Sequence, residues 1–247
     1  MQSERLTTRQ WLDSIQSSQD ANLYVVMSNA SDAGPLKAYY QDEQATSPSA
    51  IWSDTPYAEW WPVMPLLGEL SMHSSFLEWI DQQSDEDWGW LAISPEPLET
   101  VLDHLRSLTQ VRMPDGTEVF FRFWDGRQLL PILRHLGSEA GELLPIFEHY
   151  LINGQTLRVE RPEIISSKTY PWWNVPSALL TALSQDDPST LVDNLMQWLR
   201  ENHPELYFAF PEANLRLKTE HFMRHTPYTE DTLAGLFRAH LQKELAL

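Results

Sequence analysis

Trp88-Gly-Trp-Leu-Ala-Ile93, closed by Ser94-Pro-Glu-Pro97 and followed by Leu98, Val101, Leu102, Leu105 and Leu108, decides the fold class. A short apolar run ended by proline punctuation reads as a strand covered on both faces. The leucines and valine after it are spaced for one side of an amphipathic helix. A strand that feeds a helix is the unit of a layered α/β arrangement, and the flanking sequence repeats the alternation. Upstream, Leu23-Tyr-Val-Val-Met27 predicts another buried strand and Leu66–Leu70 a further one, with a short helix over Phe76–Ile80. Downstream, Met113-Pro-Asp-Gly116 predicts a turn. Thr117-Glu-Val-Phe-Phe-Arg-Phe-Trp124 then reads as the strongest strand of the chain, broken at Gly126 before a helical face of Leu129, Leu130, Ile132, Leu133 and Leu136.

Beyond Leu157–Glu160, read as a last edge strand, the signals are mainly helical and separated by prolines. Helices are expected over Pro176–Leu183, over Pro188–Leu199, over Glu205–Thr219 with a possible break at Pro211, and from Thr229 onward. The last carries Leu233, Leu236, Phe237, His240, Leu241 and Leu245 on one side. The expectation is therefore an α/β fold: an N-terminal layered sheet with flanking helices over residues 1–160, then a smaller, mainly helical C-terminal lobe over 161–247.

The 247 residues carry 17 Lys and Arg against 35 Asp and Glu, a formal charge of −18. That charge repels a phosphate backbone and acidic membrane surfaces, so nucleic acid and membrane are not expected partners. It is uneven: residues 1–150 hold net −15 and 151–247 net −3. Runs such as Asp81-Gln-Gln-Ser-Asp-Glu-Asp87 read first as solvated loop, second as docking surface for a basic partner. Cysteine is absent, which removes disulfides, thiolate metal sites and a catalytic thiol. With no apolar run of signal-peptide or membrane-span length, a soluble cytoplasmic protein is expected.

No catalytic motif stands out, and no cofactor is expected. The glycines do not form a phosphate-cradling loop, and there is no Gly-x-Ser-x-Gly elbow. Asp125, at the end of the aromatic run, is the best single catalytic candidate, but the stronger reading of an Asp before Gly126 is structural, as a strand-to-helix turn residue or helix N-cap. Arg122 falls on the same face of that strand as Phe120 and Trp124, so it is expected half-buried and paired with a carboxylate. His221 and His225 share a helical face as metal ligands can, but Phe222, Met223 and Arg224 lie between them, and no metal site is expected. The eleven tryptophans point elsewhere. Trp60-Trp61 before Pro62 and Tyr170-Pro-Trp-Trp173 offer stiff apolar surface with N–H handles, suited to gripping a partner through Trp60, Trp61, Tyr170, Trp172 and Trp173. The alternative is that these rings pack the seam between the lobes, a reading that the continuing apolar run of Val63, Met64, Leu66 and Leu67 favours for Trp60 and Trp61.

The order of segments from Tyr24-Val-Val through Pro62-Val-Met-Pro-Leu-Leu-Gly-Glu-Leu70, Trp88–Ile93 and Gln110-Val-Arg-Met-Pro-Asp-Gly116 to Val119-Phe-Phe-Arg-Phe-Trp-Asp125 and Arg127 resembles a bacterial family. It is the domain of unknown function in the adaptor chaperones of type VI secretion, and the likeness covers about residues 20–150. The family pattern Phe-Arg-Phe-Tyr-Asp-Pro-Arg is met with Trp124 for the Tyr and Gly126 for the Pro. The resemblance implies a cytoplasmic, non-catalytic protein that bridges an effector toxin and the C-terminal region of the spike protein, with Arg122, Asp125 and Arg127 as its structural signature. Two other readings compete: an acidic α/β hydrolase or transferase using Asp125, with a pocket lined by Arg122, Asp125 and a histidine, and an immunity-like protein occluding a basic toxin.

Overall fold

The computed structural model describes residues 5–15, 21–43, 45–162, 165, 168, 170–186, 189–227 and 230–245. Pro188 and Thr229, read above as helix starts, lie outside the described residues. The chain clusters into two compact units, Met1–Pro176 and Ser177–Leu247.

The first unit is built on a six-stranded antiparallel sheet in the order β2-β3-β1-β4-β7-β8, with β1 Asn22–Ser28, β2 Ser49–Ala50, β3 Pro65–Leu70, β4 Gly89–Ser94, β7 His149–Ile152 and β8 Gln155–Arg158. Strands β1 and β4 lie in the interior of the sheet. Val25 and Val26 of β1, and Trp90 and Leu91 of β4, lie on opposite pleats of their strands and are all buried, as their uninterrupted apolar runs require. Both β3 and β4 pair antiparallel to β1, so they point the same way. The helix between them, α3 (Phe76–Asp81), thus belongs to a β-α-β unit split by β1. Gly89 has φ +143°, and a Cβ there would stand 2.0 Å from the Val26 carbonyl oxygen, so only glycine lets β4 begin at that point. Strands β7 and β8 form a hairpin around Asn153-Gly154, both at positive φ, the Asn-Gly geometry of a two-residue turn.

Helices α1 (Thr8–Ser14), α2 (Pro35–Tyr39), α4 (Leu98–Ser107), α5 (Gly126–Leu136) and α6 (Ala140–Leu143) complete the unit. Helix α1 starts in a capping box between Thr7 and Gln10, and Asp81 accepts from the Thr8 amide at 2.7 Å and from its hydroxyl at 3.0 Å. In α4, Val101 and Leu105 are buried, on the face that the leucine spacing indicates.

The aromatic run departs from expectation. Only Glu118–Phe120 is a strand, β6, paired with β5 (Gln110–Arg112) in a separate two-stranded hairpin outside the main sheet. After Phe121, whose amide still donates to the Thr109 carbonyl at 3.1 Å, the chain leaves the ladder: Phe121, Phe123 and Trp124 are all buried while Arg122 points out, a burial pattern that strict alternation forbids. Residues 173–175 lie alongside β5, with the Arg112 amide donating to the Trp173 carbonyl at 2.9 Å and the Val175 amide to the Arg112 carbonyl at 2.8 Å.

The second unit is helical: α7 Ser177–Asp186, α8 Ser189–Asn202, α9 Pro204–Tyr207, α10 Glu212–His225 and α11 Glu230–Leu245. It has its own core of Val192, Leu195, Met196 and Leu199 from α8, Leu206 and Tyr207 from α9, Leu215, Phe222 and Met223 from α10, and Leu233, Phe237 and Leu241 from α11. These positions recur at three and four residues, as a helix packed along one stripe requires. Leu236 and Leu245, grouped with that stripe by spacing, are exposed.

Candidate interaction surface

Asp125 is the N-cap of α5, and its carboxylate is committed to that task. Its side chain is 1% exposed. Oδ1 accepts from the Arg127 amide at 3.0 Å and from Arg127 Nε at 3.2 Å, while Oδ2 accepts from Arg127 Nη2 at 3.0 Å and from Arg122 Nη2 at 3.1 Å. Hydrogen bonds from charged donors and from a helix N-terminal amide are the strong kind, and here they satisfy both oxygens of the buried side chain. Arg127 reaches on to Asp87 Oδ2 at 3.2 Å, and the Ser31 hydroxyl donates to Asp87 Oδ1 at 2.6 Å. The carboxylates around Arg127 raise its guanidinium further above its already high range. The pairing expected for Arg122 is present, but its side chain is 55% exposed, since the chain has turned out of β6 before reaching it. Of the acidic run 81–87, Asp81 and Asp87 thus serve as hydrogen-bond anchors.

The aromatics divide into two groups. Trp172 and Trp173 are half-buried: the Trp172 indole N–H donates to Ser107 Oγ at 3.0 Å beside His104, and Trp173 lies over Phe121 with ring centroids 5.4 Å apart. Lys168 Nζ stands 5.3 Å from the Trp172 ring. Trp60, Trp61 and Tyr170 are 47%, 53% and 41% exposed. Trp60 belongs to a plate of rings with Tyr57 at 5.3 Å and Phe120 at 5.4 Å, and Tyr57 and Phe120 are 4.8 Å apart. Buried Trp52 is their floor, in contact with all three and with Trp124 at 5.2 Å.

Local hydrogen bonding explains the display. Between β2 and β3 the backbone makes successive i→i+3 bonds, Thr55 to Trp52, Ala58 to Thr55, Trp60 to Tyr57 and Val63 to Trp60. Bonds of that period put residues three apart on one side, which places Tyr57 next to Trp60. Arg106 of α4 clamps the start of this loop, donating to the Ile51 carbonyl at 2.9 Å and to Ser53 Oγ at 2.6 Å. Phe120 arrives as the last residue of β6. Tyr170 donates to Gln110 Oε1 of β5 and lies beside the Tyr57 hydroxyl. Burial, Tyr57 and Glu118 together push the Tyr170 phenol above its ordinary range, so it remains a donor at any physiological pH. Two motifs far apart in sequence, Trp60-Trp61 and Tyr170, are thereby joined through Tyr57. Tyr57 and Phe120 carried no motif of their own; the three-residue spacing from Tyr57 to Trp60 was the available signal.

Elsewhere, a cavity of about 150 Å³ in the first unit is lined by Arg5, Asp81, Asp85, Trp88 and Asn153 among others. One of about 570 Å³ in the second lies among α8, α9 and α10, with Met196 and Tyr207 inside a rim of Asp193, Arg200, Glu212 and Arg216. Neither is lined by Arg122, Asp125 or a histidine. The second unit also exposes Phe208 and Leu217. His221 and His225 do share a face, stacked at 4.2 Å, with His225 Nδ1 2.8 Å from the His221 carbonyl oxygen. Among the described residues no group of three or more His, Asp or Glu is placed to hold a metal ion, and no helix is long and apolar enough to cross a membrane.

Residues 23–141 match the model of a family described as Domain of unknown function (DUF4123). That stretch holds β1, from its second residue, through the first half of α6, with the Asp125 cluster and every ring of the aromatic plate except Tyr170. No curated protein matches the chain, and no solved structure matches it.

Proposed function

We propose that this protein is a non-catalytic adaptor of a bacterial type VI secretion system, which holds a cognate effector toxin in the cytoplasm and loads it onto the C-terminal region of the spike protein. The carrying observation is the coincidence of the family match over residues 23–141 with an exposed, rigidly held aromatic plate in that same region. Exposed Trp and Tyr rings held in place by the fold supply affinity at low entropic cost, which is what a reusable docking surface needs. A bridge needs a second surface, and the groove among α8, α9 and α10 with exposed Phe208 offers one on the helical unit. The carboxylate an enzyme would most readily have used, Asp125, is already bound by two arginines and a backbone amide.

Binding at low ionic strength tests the reading. The purified protein is mixed with the effector and the spike fragment encoded beside it, and complexes are resolved by size-exclusion chromatography. Formation of a complex with each is expected; retention of neither overturns the adaptor role.

A further inference from the structure

The plate formed by Tyr57, Trp60, Phe120 and Tyr170 has a chemistry more specific than apolar surface. We propose that it docks a proline-rich segment of the partner, held as a left-handed polyproline helix with a Lys or Arg close to the prolines. The inference rests on the reading above, that the chain works by gripping other polypeptides, and names what it grips.

Three observations carry it. First, the plate presents ring faces and edges 4.8–5.4 Å apart, fixed from below by Trp52 and from the side by the Arg106 clamp. Proline rings pack on electron-rich aromatic faces, and a segment already stiff loses little entropy on docking. Second, the surface is rich in unspent donors. The exposed indole N–H groups of Trp60 and Trp61 make no hydrogen bond to any described residue. A polyproline helix has no internal hydrogen bonds, so every carbonyl along it is an acceptor seeking such a donor. An α-helix, whose carbonyls are paired internally except in its last turn, could not use them in the same way. Third, the rim is acidic. Glu59, adjacent to Trp60, has no ionic or hydrogen-bonding partner among the described residues, and Asp54 is 87% exposed at its side chain with one guanidinium contact at 3.5 Å. Glu118, two residues before Phe120, is half-exposed with a 3.4 Å contact to Arg112. A cation flanking the prolines would find Glu59 unsatisfied.

The test is a titration of the full-length isotope-labelled protein, following the indole N–H resonances by NMR. The probe is a capped peptide of one arginine followed by a run of prolines. Two controls of the same length are used, one with alternating glycine and alanine in place of proline, the other with aspartate in place of arginine. Binding tighter than about 1 mM is expected for the first peptide alone. Trp60→Ala should weaken it by about tenfold or more, and Glu59→Gln by about two- to fivefold with a shallower salt dependence. Trp61→Ala serves as the second exposed-ring variant should Trp60→Ala unfold, folding being checked by circular dichroism. No binding below about 1 mM overturns the inference. So does equal binding of the glycine-alanine peptide, which would make the plate a general apolar surface. Equal binding of the aspartate peptide overturns the basic flank. Should the effector or spike complex form while the proline peptide fails, this inference falls and the adaptor reading stands; loss of both complexes with peptide binding intact gives the reverse.

Discussion

The Arg122–Asp125–Arg127 turn and the Tyr57–Trp60–Phe120–Tyr170 plate meet at the end of β6, where Phe120 belongs to one and Arg122 to the other, yet they treat their polar groups in opposite ways. In the turn, each carboxylate oxygen of Asp125 is met by two donors within 3.2 Å. At the plate's surface the Trp60 and Trp61 indole N–H groups and the Glu59 carboxylate are left without protein partners among the described residues. A satisfied buried polar cluster adds to stability and specificity of the fold, whereas unsatisfied groups at the surface cost little while hydrated and become useful only when something binds. The difference separates what the chain uses to fold from what it has left for a partner.

The largest effect that would break this contrast lies in the turn. Asp125→Ala removes an N-cap and leaves two guanidinium groups without their shared anion, and should lower stability by about 2–4 kcal/mol in urea unfolding. A loss below about 1 kcal/mol would show the cluster to be dispensable. Within the cluster, Arg127→Ala should cost about 1–2 kcal/mol and Arg122→Ala less than about 1 kcal/mol, because Arg127 makes three of the contacts and Arg122 one from an exposed position. In the plate, Trp60→Ala should change the unfolding midpoint by less than the equivalent of about 1 kcal/mol while abolishing partner capture. An equally large stability loss there would make the plate a packing feature. The mildest expectation concerns pH. Burial holds the His104 imidazole below its ordinary value of 6.5, against the pull of its 2.9 Å bond to the Leu143 carbonyl, and burial with the nearby Arg158 does the same to His149. The unfolded chain therefore takes up protons first: stability is full above about 6.5 and declines as pH falls from there toward the lower folded values. His104→Gln should flatten that slope in urea midpoints measured against pH.

What was legible in the sequence follows burial symmetry. Strands β1 and β4 sit with both faces covered, so their unbroken apolar runs identify them, and β3 follows the same pattern apart from exposed Glu69. Strand β7 was not legible, because four residues led by His149 are too short to show a period. Thr117–Trp124 was misread for the opposite reason. Its aromatic content matches strand composition, but Phe121, Phe123 and Trp124 are buried around a turn that their packing against Trp52, Trp173 and each other stabilises. Local propensity cannot distinguish those two ways of hiding a ring. Of the candidate surface, the exposed tryptophans were legible from Trp-Trp-Pro stiffness. Their convergence with Tyr170 was not, since it depends on Gln110 and Tyr57, residues without any motif. The same holds for Asp87 and Asp81, whose anchoring roles exist only through partners roughly forty or seventy positions away.

The chain of contacts from Ser31 through Asp87 and Arg127 to Asp125 also bears on deuterium uptake. The opening amides of a helix ordinarily fray and exchange within moments of transfer to heavy water. The Arg127 amide is held by a carboxylate that is itself tied to the end of β1 and the loop before β4. Its isotope exchange should therefore track the slow central strands, marking the start of α5 as part of the last cooperative block to come apart.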